Sequence, residues 1–343
     1  MCVSICSVFS VLSSPPSHLR GQQVQFDPGF PLILEEVSVV GAEQELGIIL
    51  DSALGPEGSV YLAEAYSNRI IALDAEGNLA WQSGRSGEGP GEFRSLYRIA
   101  IGSDGTLYAF DAYGGAISRF SPDGSFVDRR QLELRFSKMD GLVATADGRI
   151  AIAGITAYQP AGDAAVHVFD PESRYVRSFA PPPTSLNPMS LSYSGAGTVA
   201  LTRGGEVLFV RRIPYEIYHY SLDGVLLNNV IEAPFEYGFT ADDAVTITER
   251  GRRIEISRPE TELPFFSAPV PLTDSTFLVP RREGESRYWD IFTLTGRPVA
   301  TTSIPGDWGV ALGYDAERSV LWAKGEYQLE PVLRRISVRL TSP

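Results

Sequence analysis

Two stretches of the chain can be laid over each other: 58-GSVYLAEAYSNRIIALDAEGNLAWQ-82 and 105-GTLYAFDAYGGAISRFSPDGSFVDR-129. In this alignment Tyr66 matches Tyr113. Both stretches contain short runs of β-branched and aromatic residues that are interrupted by turn residues, which is typical of successive hairpin strands. The chain therefore contains an internal repeat built from β-strands.

Two further copies of the repeat begin at Gly148 and Gly205, so the unit recurs roughly every 45 to 55 residues, as in propeller repeats. Asp-Gly dipeptides separate the apolar runs, and their glycines supply the positive φ that a tight hairpin requires. These dipeptides are Asp104-Gly105, Asp123-Gly124, Asp147-Gly148 and Asp223-Gly224. Four antiparallel strands per unit are typical of a propeller blade, so we predict an all-β, six-bladed β-propeller.

The ring is expected to close between the two ends of the chain. Five blades are predicted over residues 47–83, 98–130, 139–179, 198–231 and 265–302. The last unit, 308–338, has three strands, and its fourth is expected from Glu35 to Val40, which leaves no open sheet edge. The chain is thus a single propeller over 29–343, with an insertion at about 232–264 that forms a helix or a hairpin. As a blade of its own, this insertion would make seven blades.

The segment 1–28 is signal-like or disordered. Its apolar stretch from Met1 to Leu12 ends at serines and prolines, as a signal-peptide core does, so we expect export to the periplasm or the cell exterior. A net charge of −13 argues against nucleic-acid binding, and no later run is apolar enough for a membrane span. We expect a monomer. Cys2 and Cys6, the two cysteines, cannot by themselves form a disulfide framework or a zinc site.

The linker from Gly84 to Phe93, followed by Tyr97 to Ile101 and Ser103-Asp104-Gly105, resembles the repeat signature of NHL-type six-bladed propellers. That group is related in shape to TolB-like propellers. The chain is similar to exported bacterial members that carry an extra segment before the fifth blade. The resemblance implies a propeller with a general binding role, although many unrelated activities occur on this fold. The linker itself is expected to join blades, with Phe93 between two sheets.

The resemblance also implies two kinds of metal site that this fold can carry. Related propellers include metal-dependent lactonases, which use a Glu, two Asn and an Asp around the channel, and lyases that place histidines on a metal. Among the asparagines only Asn68 lies in a loop expected to face the channel, so the lactonase pattern is not met. His167 and His219 lie in third strands as core or rim residues. Glu64 and Asp111 occupy equivalent places in blades one and two, where they either ligate a channel cation or cap loops. No other cofactor is expected.

Charges are expected to divide between the two faces of the ring. Turns between strands one and two, and between strands three and four, should form an acidic face that includes Asp51 and Asp104. The opposite face carries the loops between strands two and three and the linkers between blades, and we call it the loop-rich face. Its predicted ligand-binding residues are Arg211, Arg212, Arg281, Arg282, Arg98, Tyr66 and Tyr113.

The four paired arginines close the second strands of blades four and five. We expect them to present exposed guanidinium groups to an anionic or sugar-like ligand or an acidic protein segment, unless they merely form salt bridges with nearby glutamates. The functional hypothesis is an exported binding or protein-interaction scaffold that uses the loop-rich face. The alternative is a hydrolase or lyase, with or without a cation, whose site lies at the channel mouth.

Overall fold

The computed structural model describes residues 32–40, 46–156, 164–181, 196–211, 216–232, 246–250, 253–257, 265–266, 268–283, 286–327 and 330–340. Within these residues the chain forms six antiparallel blades and one two-stranded sheet. The predicted six-bladed β-propeller is confirmed, with four strands in each blade. The segment 1–28, predicted as signal-like or disordered, lies outside the described residues.

Blades one and two follow the aligned sequence repeat. Blade one contains β2 (Ile49–Leu54), β3 (Val60–Glu64), β4 (Arg69–Leu73) and β5 (Leu79–Ser83), and blade two contains β6 (Leu96–Ile101), β7 (Leu107–Asp111), β8 (Ala116–Phe120) and β9 (Phe126–Gln131). Every residue of β3 and β7 is buried, whereas β5 and β9 are largely exposed or half-buried. A second strand packs against neighbouring blades on both of its sides, which explains its continuous apolar sequence.

Blades three and four repeat this arrangement. Blade three contains β10 (Phe136–Ala144), β11 (Ile150–Thr156), β12 (Val166–Phe169) and β13 (Tyr175–Phe179), and blade four contains β14 (Thr198–Leu201), β15 (Val207–Arg211), β16 (Glu216–Tyr220) and β17 (Leu226–Glu232). The insertion after blade four includes an antiparallel hairpin of β18 (Thr246–Arg250) and β19 (Arg253–Ser257). These two strands form a sheet of their own and not a seventh blade.

Blade five has an interrupted inner strand. Its pieces, β20 (Phe265–Phe266) and β21 (Val270–Pro271), both pair with β22 (Thr276–Glu283), which is followed by β23 (Ser286–Thr293) and β24 (Pro298–Ile304). Prolines at positions 269 and 271 lack the N–H that a continuous strand would donate, and the innermost position of a blade tolerates this loss because it is a sheet edge.

Blade six is closed by the N-terminal strand. It contains β25 (Val310–Asp315), β26 (Val320–Tyr327) and β27 (Glu330–Leu340), and β1 (Leu32–Val40) pairs antiparallel with β27. The register places Leu34 opposite Val338 and Val40 opposite Leu333. The predicted fourth strand is therefore present and is longer than the sequence pattern suggested.

Outer strands also hold neighbouring blades together. Trp81 on β5 donates its indole N–H to the carbonyl of Pro122 in the next blade at 2.9 Å. In the following blades Arg130 donates to the carbonyl of Pro171 at 2.7 Å, and Arg177 donates to that of Asp223 at 2.8 Å. A side chain of the fourth strand thus bonds to the turn between strands three and four of the next blade at three successive junctions.

Candidate functional site

The inner strands of all six blades surround a central cavity of about 470 Å³. Most of its lining residues are small or apolar, such as Ala53, Ala100 and Ala200. Its charged lining residues are Asp51, Arg98, Asp140 and Lys324. Because each inner strand presents a sheet edge to the cavity, backbone N–H and C=O groups there require partners from side chains or water.

Asp51 and Arg98 connect the inner strands of blades one and two. Asp51 accepts a hydrogen bond from the backbone N–H of Ile99 at 2.9 Å, and Arg98 donates to the carbonyl of Leu50 at 3.4 Å. Burial raises the pKa of Asp51, although the charge of Arg98 and the Ile99 N–H act in the opposite direction. The prediction that Asp51 lies on the acidic face was wrong, because Asp51 is not in a turn but within β2, beside the cavity.

Two more charged residues reach the edges of inner strands. Lys324 donates to the carbonyl of Ile49 at 2.6 Å, which joins blade six to blade one. Asp140 accepts from the backbone N–H of Ala196 at 2.8 Å and lies 3.8 Å from the ammonium group of Lys138. These charged residues therefore stabilise junctions between blades as well as lining the cavity.

One blade position carries four of the residues singled out in the sequence, Glu64, Asp111, Arg211 and Arg281. It lies four residues after the first buried residue of each second strand, at the end nearest the loop-rich face. In blade order it is occupied by Glu64, Asp111, Gly154, Arg211, Arg281 and Lys324. The acids of blades one and two and the arginines of blades four and five are thus structurally equivalent.

Glu64 fixes the loop that follows β3. Its carboxylate accepts hydrogen bonds from the backbone N–H groups of Tyr66 at 2.7 Å and Ser67 at 3.1 Å. The guanidinium of Arg69 also donates to it at 3.1 Å. Glu64 is almost fully buried, with 1% of its surface exposed, so these bonds compensate a desolvated charge.

Asp111 has the same role after β7. It is fully buried and accepts from the backbone N–H groups of Ser95 at 3.0 Å and Tyr113 at 3.2 Å. The guanidinium of Arg129 donates to it at 2.8 Å. The two carboxylates therefore cap loops, and their role as cation ligands stays a prediction. Within the described part of the chain, no group of three or more His, Cys, Asp or Glu side chains is arranged to hold a metal ion.

Arg211 and Arg281 are buried, in contrast to the exposed guanidinium groups expected from the sequence. Arg211 lies 3.2 Å from the carboxylate of Glu216 on the neighbouring strand. Arg281 lies 2.7 Å from Asp290, which is completely buried, and stacks over the ring of Tyr288 at 4.4 Å. The role of Arg211 and Arg281 in ligand binding remains a prediction. The other two predicted arginines cannot be compared with them, because Arg212 lies outside the described residues and Arg282 is described only as a position on β22.

Tyr66 and Tyr113 are the exposed aromatic residues that follow the two capping carboxylates. Their exposed fractions are 86% and 68%. The guanidinium of Arg94 lies 3.5 Å from the centre of the Tyr113 ring and 3.1 Å from the carboxylate of Glu88. Arg94 was not among the predicted ligand-binding residues, because its contact with Tyr113 depends on the path of the linker.

The linker from Gly84 to Phe93 packs between these two tyrosine loops. Asn68, from the first loop, donates to the hydroxyl of Ser86 at 3.0 Å and accepts from the N–H of Leu96 at 2.9 Å. Near the second loop, Arg129 donates to the carbonyl of Glu92 at 3.2 Å. Phe93 is fully buried against its neighbouring blades, as predicted. We call the loops 65–68 and 112–115, together with residues 84–95, the blade one–two surface.

The histidines of the third strands have partners that the sequence did not reveal. His167 is fully buried, and its Nδ1 lies 2.7 Å from the hydroxyl of Ser178, to which Tyr175 is also hydrogen-bonded at 3.0 Å. Burial lowers the pKa of His167 to about 4. His219 lies 2.7 Å from the carboxylate of Glu206. Each histidine is bonded to residues of its own blade, in agreement with the predicted core or rim position.

Solved structures similar to this chain share its propeller fold. A protein from Bacteroides fragilis assigned as exported has a TM-score of 0.57 and 12% identity, with 91% of this chain and 96% of that chain covered. Virginiamycin B lyase from Staphylococcus aureus has a TM-score of 0.52 and 12% identity, with 90% and 99% covered. The PQQ-bound aldose sugar dehydrogenase from Streptomyces coelicolor has a TM-score of 0.55 and 15% identity, with 91% and 99% covered.

At these identities the likeness establishes the fold alone. No family model matches the chain, and no curated protein matches its sequence significantly. The similar structures include enzymes as well as a protein assigned as exported, so the fold is compatible with both binding and catalysis. None of the helices in the described residues is long and apolar enough to cross a membrane.

Proposed function

We propose that this protein is an exported interaction scaffold that binds an acidic protein segment on its blade one–two surface. The observation that carries the proposal is the pair of exposed tyrosines, Tyr66 and Tyr113, at equivalent positions of adjacent blades. Tyrosine and arginine are the residues that most often dominate the energy of protein interfaces. An exposed tyrosine on a fixed loop loses little conformational entropy when a partner binds it.

Hydrogen bonds to buried carboxylates fix the loops that carry these tyrosines. Glu64 and Asp111 each bond to the backbone N–H of the tyrosine two residues further on. Asn68 adopts a positive φ of 52° and joins the first loop to the linker. The surface is therefore pre-organised, which favours a binding role because a flexible loop would have to be ordered by its partner.

Two exposed arginines of the surface offer guanidinium groups to an acidic partner. The side chain of Arg85 is 80% exposed and that of Arg94 is 40% exposed. Each also contacts a glutamate, Glu92 or Glu88, and Glu92 is in addition held by the backbone N–H of Gly89 at 2.8 Å. A partner carboxylate can replace Glu88, whose side chain is 74% exposed, on the guanidinium of Arg94.

The proposal is tested by panning a random peptide library against the folded protein. Enriched peptides should be rich in Asp and Glu, and the double variant Tyr66→Ala/Tyr113→Ala should weaken their binding by about 30-fold or more. The matched control is Leu227→Ala, which removes an exposed apolar side chain from the outer strand of blade four. Peptides that bind the double variant as tightly as the wild type would show that the blade one–two surface is not the binding site.

A further inference from the structure

Four polar residues of the cavity, three of them charged, lie at one level of the ring. Asp51 pairs with Ala63, Arg98 with Phe110 and Thr198 with Val210, and these three partners are equivalent positions on their second strands. Asp140 lies at the same level, in the bulge before Gly141. Inner strands begin at the loop-rich face, so this polar level lies near the loop-rich mouth of the cavity.

The wall beyond this level is mostly apolar, although Ser52 and Tyr314 also line it. Ala53, Ala100, Leu142 and Ala200 line it. The volume of about 470 Å³ lies within the roughly 300 to 1,000 Å³ typical of small-molecule sites. A predominantly apolar cavity with a few polar groups at one end is the common form of a site for a small amphipathic ligand.

Arg98 is held in place while part of its guanidinium group remains open. Its Nη1 donates to the carbonyls of Leu50 at 3.4 Å and Tyr97 at 3.1 Å, and its guanidinium stacks over the Tyr97 ring at 4.2 Å. Nε and Nη2 donate to no protein atom within the described residues. Their N–H groups form an edge of the planar guanidinium, which matches the two oxygens of a carboxylate.

We propose that the cavity binds a small monocarboxylate with an apolar body, whose carboxylate pairs with the Nε and Nη2 edge of Arg98. The ammonium group of Lys324 donates to the carbonyl of Ile49, the residue before Leu50, whose carbonyl Arg98 contacts. Lys324 thus adds a second positive charge at this end of the cavity. Asp51 forms no ion pair with Arg98, so a carboxylate has the guanidinium edge to itself. Because Asp51 and Asp140 also line the cavity, a doubly charged phosphate is disfavoured relative to a singly charged carboxylate.

The test uses hexanoate, with hexanamide as its uncharged analogue and inorganic phosphate as the competing anion. Calorimetry on the wild-type protein should show binding of hexanoate and weaker or no binding of the other two. Arg98→Gln keeps an N–H donor for the carbonyl of Leu50 but loses the charged edge, and it should weaken hexanoate binding by about tenfold or more. Asp51→Asn, which removes a nearby negative charge, should leave the affinity unchanged or strengthen it.

Arg174→Gln is the matched control, because its guanidinium is 65% exposed on the outside of blade three. It should bind hexanoate as the wild type does. Should Arg98→Gln fail to fold, the Nε–H resonance of Arg98 in the wild-type protein provides a second measurement, since it should shift on titration with hexanoate and stay in place with hexanamide. The proposal is overturned if no hexanoate binds, if hexanamide or phosphate binds as tightly, or if Arg98→Gln leaves the affinity unchanged.

Discussion

The ion pair between Arg281 and Asp290 offers the sharpest test of the structure at the loop-rich face. Its Nε to Oδ2 distance is 2.7 Å, and the two side chains are 4% and 0% exposed. Thr301 donates a further hydrogen bond to Asp290 at 2.8 Å. The substitution Arg281→Met removes the guanidinium and leaves a buried carboxylate that keeps the hydroxyl of Thr301 as a donor.

The expected loss follows from this burial. Breaking a buried ion pair by removing one partner costs about 3 to 5 kcal/mol, because the remaining charge has lost both water and its counter-ion. The double variant Arg281→Met/Asp290→Asn removes the remaining charge and should recover more than half of this loss. An exposed pair behaves differently, so Arg174→Met, which breaks the surface contact with Asp170, should not change stability measurably.

The measurement is urea unfolding followed by tryptophan fluorescence, for which Trp289 next to Asp290 is a buried reporter. Free energies of unfolding are compared at equal m-values, so that a change in midpoint reports stability. A loss below about 1 kcal/mol for Arg281→Met would match an exposed pair. That result would refute the buried geometry and restore the interpretation of Arg281 as a surface ligand-binding residue.

Three further predictions concern the ring. Deleting residues 1–41 removes β1 and should cause aggregation or loss of cooperative thermal unfolding, whereas deleting 1–28 should not; equal melting of the two proteins would contradict the closure. Gly124→Ala should destabilise the protein by about 1 to 3 kcal/mol more than Gly205→Ala. The two glycines have similar φ values, 83° and 81°, so the backbone strain of the two substitutions is similar. A Cβ at position 124 would lie 2.6 Å from Trp81, whereas position 205 has open space. For His167, the folded pKa of about 4 lies below the ordinary value of 6.5, so the unfolded chain takes up the proton first. Stability should therefore fall by about 3 kcal/mol between pH 6.5 and pH 4, and a His167→Gln variant with the same pH dependence would exclude this cause.

The fold was predictable because its signals are local. The Asp-Gly turns fix hairpins within a few residues, and Gly105, Gly124, Gly148 and Gly224 all adopt the positive φ that such turns require. The closing strand was predictable because blade six has three strands in the sequence and a propeller leaves no sheet edge unpaired. The interrupted inner strand of blade five was not anticipated, since both of its pieces are only two residues long.

The site was less predictable because burial of a charged side chain depends on its cross-strand partner. Arg281 and Asp290 are nine residues apart in sequence, and their contact requires the register of β22 with β23. Asp51 was misplaced because it lies inside β2, whereas an acidic residue is more typical of a turn than of a strand. The equivalence of Tyr66 and Tyr113 was visible, because both lie at the same distance from a turn glycine.

The equivalent positions at the ends of the second strands show how charge is used on the loop-rich face. In blades one and two the residue is an acid, Glu64 or Asp111, whose partners include loop N–H groups and an arginine. In blades four and five it is an arginine, whose partner is an acid on the next strand. In each of these four blades, the buried charge is thus compensated by an opposite charge of the same blade.

The sequence therefore overestimates the number of arginines on the loop-rich face that are accessible to a ligand. Arg211 and Arg281 already contact carboxylates, and a ligand that paired with either would have to displace a buried acid, at the cost of leaving that acid without its partner. Tyr66 and Tyr113 carry no such cost, since their rings are exposed before any partner arrives. Recognition on the loop-rich face is therefore expected to depend first on the tyrosine loops and on the exposed Arg85 and Arg94. Arg211 and Arg281 instead stabilise blades four and five.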